Sequence, residues 1–199
     1  MIYLVRHSES IANTLGIYQG QTYDTDLSPL GVRQAQALSK KLANIRFDAI
    51  YCSGLKRTRQ TAQVLGKPIN EPALLETNHG RWEGLPKHKV EKRWPKLYAQ
   101  WFDDPTHIIF PNGESFQHTQ KRVLAWWRRL NPQDNLAIIT HDNILRIIIA
   151  DILSLPLSSL WQFHLHPVAI TIVDNNRLVC LNDTNHLIGL ETNLTHHAL

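Results

Sequence analysis

Three short segments of this chain place cations or histidines directly after apolar, β-prone runs. Arg6-His7-Ser8-Glu9 follows Ile2-Tyr3-Leu4-Val5, and Ser53 to Arg59, with Arg57 and Arg59, follows Ala49-Ile50-Tyr51-Cys52. His141-Asp142-Asn143 follows Leu136-Ala137-Ile138-Ile139-Thr140. If these runs are parallel strands, Arg6, His7, Arg57 and His141 share one rim. Imidazoles and guanidiniums facing one cleft call for an anion. A guanidinium donates two parallel hydrogen bonds to a tetrahedral oxyanion, so phosphate suits such a site. A neutral imidazole attacks phosphorus and leaves a phosphohistidine. Neighbouring arginine charge keeps that imidazole neutral and stabilises charge on the transferring group. The leaving oxygen then needs a proton. Glu76 and Glu83, in Leu74-Leu75-Glu76-Thr77-Asn78-His79-Gly80-Arg81-Trp82-Glu83-Gly84, are the two candidates to give it.

The elements that must position these groups follow from periodicity. Ser28-Pro29 reads as a helix start, with Ser as N-cap and Pro at the first helical position. Val32, Ala35, Leu38 and Leu42 then predict an amphipathic helix to about Asn44. A second helix is expected from about Lys56 to Leu65, stopped by Gly66 and Pro68. Phe116 to Leu130 predicts a helix with Val123, Leu124 and Trp127 inside, and Ile144 to Leu153 a buried one. Val168 to Val173 and Leu178 to Leu181 read as strands joined at Asp174-Asn175-Asn176. The tail from Asn182 is polar and expected to be loose. Strands alternating with helices predict a three-layer α/β/α domain with a mainly parallel, mixed sheet, whose ligand site lies at the strands' carboxyl ends. Residues 1–199 read as one domain. Residues 86–110, where aromatics and cations are broken by Pro95 and Pro105, read as a helical, lid-like insertion over the cleft.

Composition narrows the function classes. The 199 residues are 43% hydrophobic with six Trp, enough for a sizeable core. The 21 Lys+Arg against 17 Asp+Glu leave a net charge of +4 with no basic run. A nucleic-acid partner or polybasic membrane tether is therefore not indicated. No stretch is long and apolar enough for a membrane span. The two cysteines, Cys52 and Cys180, lack metal spacing and suggest no disulfide framework. A cytoplasmic protein is expected. His164-Leu165-His166 and His196-His197 have no accompanying acidic or Cys ligands, and a metal site is not read there. Asn193-Leu194-Thr195 matches a glycosylation triplet, but nothing suggests secretion.

Arg6-His7-Ser8-Glu9-Ser10-Ile11-Ala12-Asn13 resembles the opening signature of the histidine phosphatase superfamily, in its phosphoglycerate-mutase-like branch. Tyr18-Gln19-Gly20 with Asp26-Leu27-Ser28-Pro29-Leu30-Gly31 resembles the next block of that family. Ser53-Gly54-Leu55-Lys56-Arg57-Thr58-Arg59-Gln60-Thr61-Ala62 is similar to its second arginine motif, and Leu75-Glu76 with Gly80, Trp82, Glu83 and Gly84 to its acid block. Pro111 to Ser115 and Ile139-Thr140-His141-Asp142-Asn143-Ile144-Leu145-Arg146 complete the order. The resemblance runs to about residue 183. It implies that His7 is the phosphorylated nucleophile, that Arg6, Arg57 and His141 hold the phosphoryl oxygens, and that Asn13 adds a hydrogen bond. Glu76 falls at the proton donor's place, and Gln19 and Gly20 border the pocket. No metal and no cofactor are implied.

Two positions depart from the commonest family pattern, where Gly is usual: Ser8 after the nucleophile and Asp142 after the second histidine. Asp142 counts among the pocket residues, with its carboxylate expected to point away from the phosphate or to cap the following helix. Glu83 is read as a structural partner or pocket-edge group, Arg59 as solvent-facing, and His164 as a residue of the far wall. The expected partner is a small phosphorylated metabolite or phosphate itself, and a homodimer is left open. The activity expected is phosphomonoester hydrolysis. Its alternatives are mutase-type phosphoryl transfer and a non-catalytic phosphate- or phosphoprotein-binding module.

Overall fold

The computed structural model describes residues 1–192. Its strands are β1 (Ile2–Arg6), β2 (Ala49–Cys52), β3 (Ile69–Asn70), β4 (Leu136–Thr140), β5 (Ile170–Asp174) and β6 (Arg177–Asp183). They form one sheet in the order β3-β2-β4-β1-β5-β6. β3, β2, β4 and β1 run parallel, while β5 and β6 are added antiparallel. The helices are α1 (Ile11–Thr14), α2 (Pro29–Lys41), α3 (Lys56–Gln63), α4 (Lys87–Arg93), α5 (Pro95–Asp103), α6 (Phe116–Trp127) and α7 (Asp142–Ile152). Among the described residues, no helix is long and apolar enough to cross a membrane.

The continuous apolar runs of β1 and β4 are covered on both faces. Ile2, Leu4, Leu136 and Ile138 pack with α6 and α7 through Val123, Trp127, Ile144 and Ile148. Tyr3, Val5, Ala137 and Ile139 pack on the other face with Leu38, Leu42 and Ala62. Alternation along the strands therefore divides the core in two, as three layers require. β3 was not foreseen, being only two residues long. The β5–β6 turn fell where expected, with Asn175 and Asn176 both at positive φ (46° and 59°), a conformation asparagine tolerates.

Two expectations are corrected. Val32 is 46% exposed, and α2 instead turns Gly31, Gln34, Ala35 and Leu38 inward. Gln34 is tolerated there because its Oε1 accepts from the Glu9 amide (3.0 Å) and its Nε2 donates to Thr192 Oγ1 (2.7 Å). That second bond also holds the tail, which is docked as far as Thr192 with Leu187 buried. Pro95 breaks the 86–110 segment as expected: α4 ends at Arg93, Trp94 leaves the helical conformation (φ −133°, ψ 59°), and Pro95 opens α5 at a first helical position, where no amide is needed. This segment is anchored by Trp101, fully buried against Phe110, Phe116 and Trp161. Asn193-Leu194-Thr195 and His196-His197 lie outside the described residues.

Strand register brings the chemistry to one edge. Arg6 pairs with Thr140, and Cys52 with Ile139. The residues that follow, His7, Ser53 and His141, therefore leave the sheet side by side. The His7 amide closes the corner by donating to the Thr140 carbonyl (2.9 Å).

Candidate active site

His7 and His141 meet edge to face, with ring centroids 5.3 Å apart. His7 Nδ1 lies 2.7 Å from the Ser8 carbonyl oxygen. A carbonyl only accepts, so Nδ1 carries a proton, and in the neutral ring Nε2 carries the lone pair. His141 is fixed by a chain of hydroxyls. Thr58 Oγ1 donates to the Leu55 carbonyl (2.9 Å), and its single proton is then committed. Ser53 therefore donates to Thr58 (2.8 Å) and accepts from His141 Nε2 (2.8 Å). Nδ1 of His141 is buried and without a hydrogen-bond partner among the described residues. Burial, with the Arg57 guanidinium and His7 next in effect, drives the His141 pKa well below the ordinary imidazole value, so the ring is neutral.

The guanidiniums are buried and partly committed. Arg57, at the start of α3, donates from Nη2 to the Gly20 carbonyl (2.8 Å) and from Nη1 to Asp24 Oδ1 (3.3 Å). Arg6 donates from Nη1 to the Leu165 carbonyl (2.8 Å). Arg6 Nε, Arg57 Nε and Asn13 Nδ2 are buried donors without partners among the described residues. Such donors are costly unless an acceptor reaches them, and an oxyanion supplies several. Asn13 sits at this site because Ser10 caps α1; Ser10 Oγ lies between Asn13 Oδ1 (2.8 Å) and Gln19 Oε1 (2.9 Å). Gly20 is at φ +52°, and any Cβ there would overlap the Glu83 carboxylate. Ring contact, chain adjacency and hydrogen bonds thus link Arg6, His7 and His141 in one group and Asn13, Gln19, Gly20 and Arg57 in another, which Glu76 joins through Gln21 Nε2 on its carbonyl (2.7 Å).

The two carboxylates separate by environment. Glu83 accepts from the amides of Gln21 (3.1 Å), Thr22 (2.7 Å) and His79 (2.8 Å), and from the Thr22 hydroxyl. It is a loop clamp, as the sequence reading held. Glu76 is 3% exposed, and among the described residues its Oε1 accepts only from the Thr77 amide (2.8 Å). Burial raises its pKa from the ordinary 4.5 to about 7, against the opposing pull of the Thr77 amide and Arg57. Its backbone is pinned, since the Glu76 carbonyl accepts from Gln21 Nε2 (2.7 Å) and Arg122 Nη2 (3.0 Å). A buried carboxyl that holds its proton near neutrality can donate to a leaving oxygen.

Asp142 does not cap α7, whose N-cap His141 makes no side-chain cap bond, and its carboxylate is instead buried between two arginines. Its Oδ1 accepts from Arg6 Nη1 (3.2 Å) and its Oδ2 from Arg146 Nε (2.6 Å). Two guanidiniums hold the buried carboxylate ionised, its pKa below the ordinary range despite desolvation. The sequence reading also missed Ser53 and Thr58, the Glu114–Arg122 pair behind Glu76, and His79. The i,i+4 spacing of Asp142 and Arg146 was the one local signal available for this set. His79 is buried among Tyr18, Trp101 and Phe110. His164 is exposed, and His166 Nδ1 is taken by Asn182 (3.0 Å). Among the described residues, no three His, Cys, Asp or Glu are grouped closely enough to hold a metal.

The family model of the histidine phosphatase superfamily (branch 1) matches residues 2–183. The chain belongs to the histidine phosphatase superfamily. This histidine phosphatase is 31% identical to phosphoserine phosphatase 1 of Hydrogenobacter thermophilus, over 92% of this chain and 92% of that protein. It is 33% identical to the adenosylcobalamin/alpha-ribazole phosphatase of Salmonella typhimurium, over 87% of this chain and 89% of that protein. Its fold is similar to that of Bacillus stearothermophilus YhfR, with a TM-score of 0.84 at 26% identity, covering 94% of this chain and 98% of that one.

Proposed function

We propose that this histidine phosphatase hydrolyses small phosphomonoesters through a phosphohistidine on His7. The observation that carries the reading is the presence at the strand ends of an imidazole held at Nδ1 by the Ser8 carbonyl and of buried arginine donors without partners among the described residues, together with a buried Glu76 that keeps its proton near neutrality. In the first step the His7 Nε2 lone pair forms a bond to phosphorus, and the P–O bond to the leaving group breaks. Glu76 passes its proton to the departing alkoxide. Arg6, Arg57 and Asn13 hold the phosphoryl oxygens as charge shifts onto them, and His141 joins them when the arriving anion favours protonation of its Nδ1. In the second step Glu76, now a carboxylate, takes a proton from water. The water oxygen bonds to phosphorus, the P–N bond breaks, and phosphate leaves with Glu76 reprotonated.

Gln19 and Gly20 border the pocket in this reading. Relatives named for phosphoserine and alpha-ribazole phosphates support a small phosphorylated metabolite as substrate. A module that only bound phosphate would gain nothing from a carboxyl beside the nucleophile. Residues 1–199 act as one domain, and the 86–110 segment serves as a lid over the cleft. The two free cysteines suit a reducing cytoplasm. The test is hydrolysis of p-nitrophenyl phosphate in EDTA by wild type and His7→Ala. Metal-independent turnover that vanishes in His7→Ala is expected; turnover that survives it would overturn the mechanism.

A further inference from the structure

Arg6 Nη1 carries two hydrogens, and the structure commits both. One goes to the Leu165 carbonyl (2.8 Å) and the other to Asp142 Oδ1 (3.2 Å). The edge left for a ligand is Nε with Nη2, and Nε is buried without a partner among the described residues. Which edge of Arg6 meets the oxyanion is thus decided by what holds Nη1. Asp142 is itself held, because its other oxygen accepts from Arg146 Nε (2.6 Å). Arg146 Nη1 in turn donates to the carbonyls of Leu160 and Phe163, and its guanidinium stacks on Trp161, 5.0 Å from the ring centroid. Both ends of this chain are tied to the same segment, 160–165, and each charged member is buried.

From this arrangement we infer that Asp142, braced by Arg146, is a positioning residue that turns the Nε/Nη2 edge of Arg6 toward the phosphoryl group. The inference rests on the phosphatase reading above. A guanidinium makes a bidentate contact only when one edge lies in the plane of two oxygens. Free rotation about the Arg6 side chain would present other edges and lose that fit. A carboxylate beside a phosphate site has an opposing effect, since its charge repels the anion. Two flanking guanidiniums neutralise that charge, so the arrangement keeps the orientation without the repulsion. The two effects have opposite signs when Asp142 is changed. Loss of repulsion alone tightens phosphate binding, whereas loss of positioning weakens it.

The experiment is a double-mutant cycle between Asp142→Asn and Arg6→Lys, read as kcat/KM and as the Kd of inorganic phosphate by calorimetry. Thermal unfolding monitors folding of every variant. Asp142→Asn is expected to lower kcat/KM roughly ten- to a hundredfold and to raise the phosphate Kd. In the Arg6→Lys background, which has no fork to orient, the same change is expected to alter kcat/KM by less than about twofold. Tighter phosphate binding in Asp142→Asn, or an undiminished loss in the Arg6→Lys background, overturns the inference while leaving the phosphatase reading intact. If Asp142→Asn does not fold, Arg146→Lys, which removes the Nε bond to Asp142, enters the same cycle with the same expected and refuting results. A folded wild type that neither binds phosphate nor turns over overturns the phosphatase reading, and this inference with it.

Discussion

Replacing Glu76 by Gln keeps the shape of the side chain and removes its proton chemistry. At pH 7 a carboxyl of ordinary pKa 4.5 is only about 0.3% protonated, whereas one at about 7 is half protonated. Burial therefore multiplies the acid form roughly 150-fold, equivalent to about 3 kcal/mol. Two consequences follow for Glu76→Gln. With p-nitrophenyl phosphate the leaving group departs without a proton, so phosphorylation of His7 proceeds, but water is no longer activated. Stopped-flow absorbance should show one equivalent of nitrophenolate in a burst, then turnover slowed on the order of 10²–10⁴-fold. An alkyl phosphate should give no burst, since its alkoxide needs the proton. The second consequence concerns stability. The folded pKa lies above the unfolded one, so ionising Glu76 opposes folding, and wild-type stability declines as pH rises from 4.5 through about 7. Gln carries no such penalty. The variant should melt several degrees above wild type at pH 8, with the gap closing by pH 5. Wild-type turnover of alkyl phosphates by Glu76→Gln, or a stability gap independent of pH, would refute the assignment.

Two further outcomes test the surroundings of the site. Burial lowers the His79 pKa to about 3, so the unfolded chain binds a proton near pH 6 that the folded chain refuses, and stability falls as pH drops below about 6.5. In urea unfolding at pH 7 and pH 5, His79→Phe should lose roughly 1–2 kcal/mol less than wild type between the two, and equal losses would count against a neutral buried His79. Gly20→Ala places a side chain at φ +52° and drives it into Glu83, whose carboxylate holds the Gln21, Thr22 and His79 amides. A destabilisation above about 1–2 kcal/mol is expected from the backbone alone, with reduced kcat/KM, and unchanged thermal unfolding would contradict the clamp.

What the chain's sequence determined by itself is the placement of its chemistry along the fold. Apolar runs ending in Arg6-His7, Cys52 and Thr140 are local signals, and strand formation carries whatever follows them to the sheet's edge. Ser28-Pro29 opens α2, and Asn175-Asn176 turns the β5–β6 hairpin, for equally local reasons of dihedral preference and capping. Tertiary structure decided the state of each group. Glu76 and Glu83 lie in one polar segment with nothing local to rank them. Only the distant Gln21 and Thr22 amides saturate Glu83, and only burial gives Glu76 its proton. The tautomer of His141 depends on hydroxyls from β2 and α3, and the inward face of α2 on Glu9 and Thr192. Asp142 shares a spacing with Arg146, but its bond to Arg6 spans from one strand end to another. Desolvation and long-range hydrogen bonds belong to the packed chain, and no periodicity within a segment encodes them.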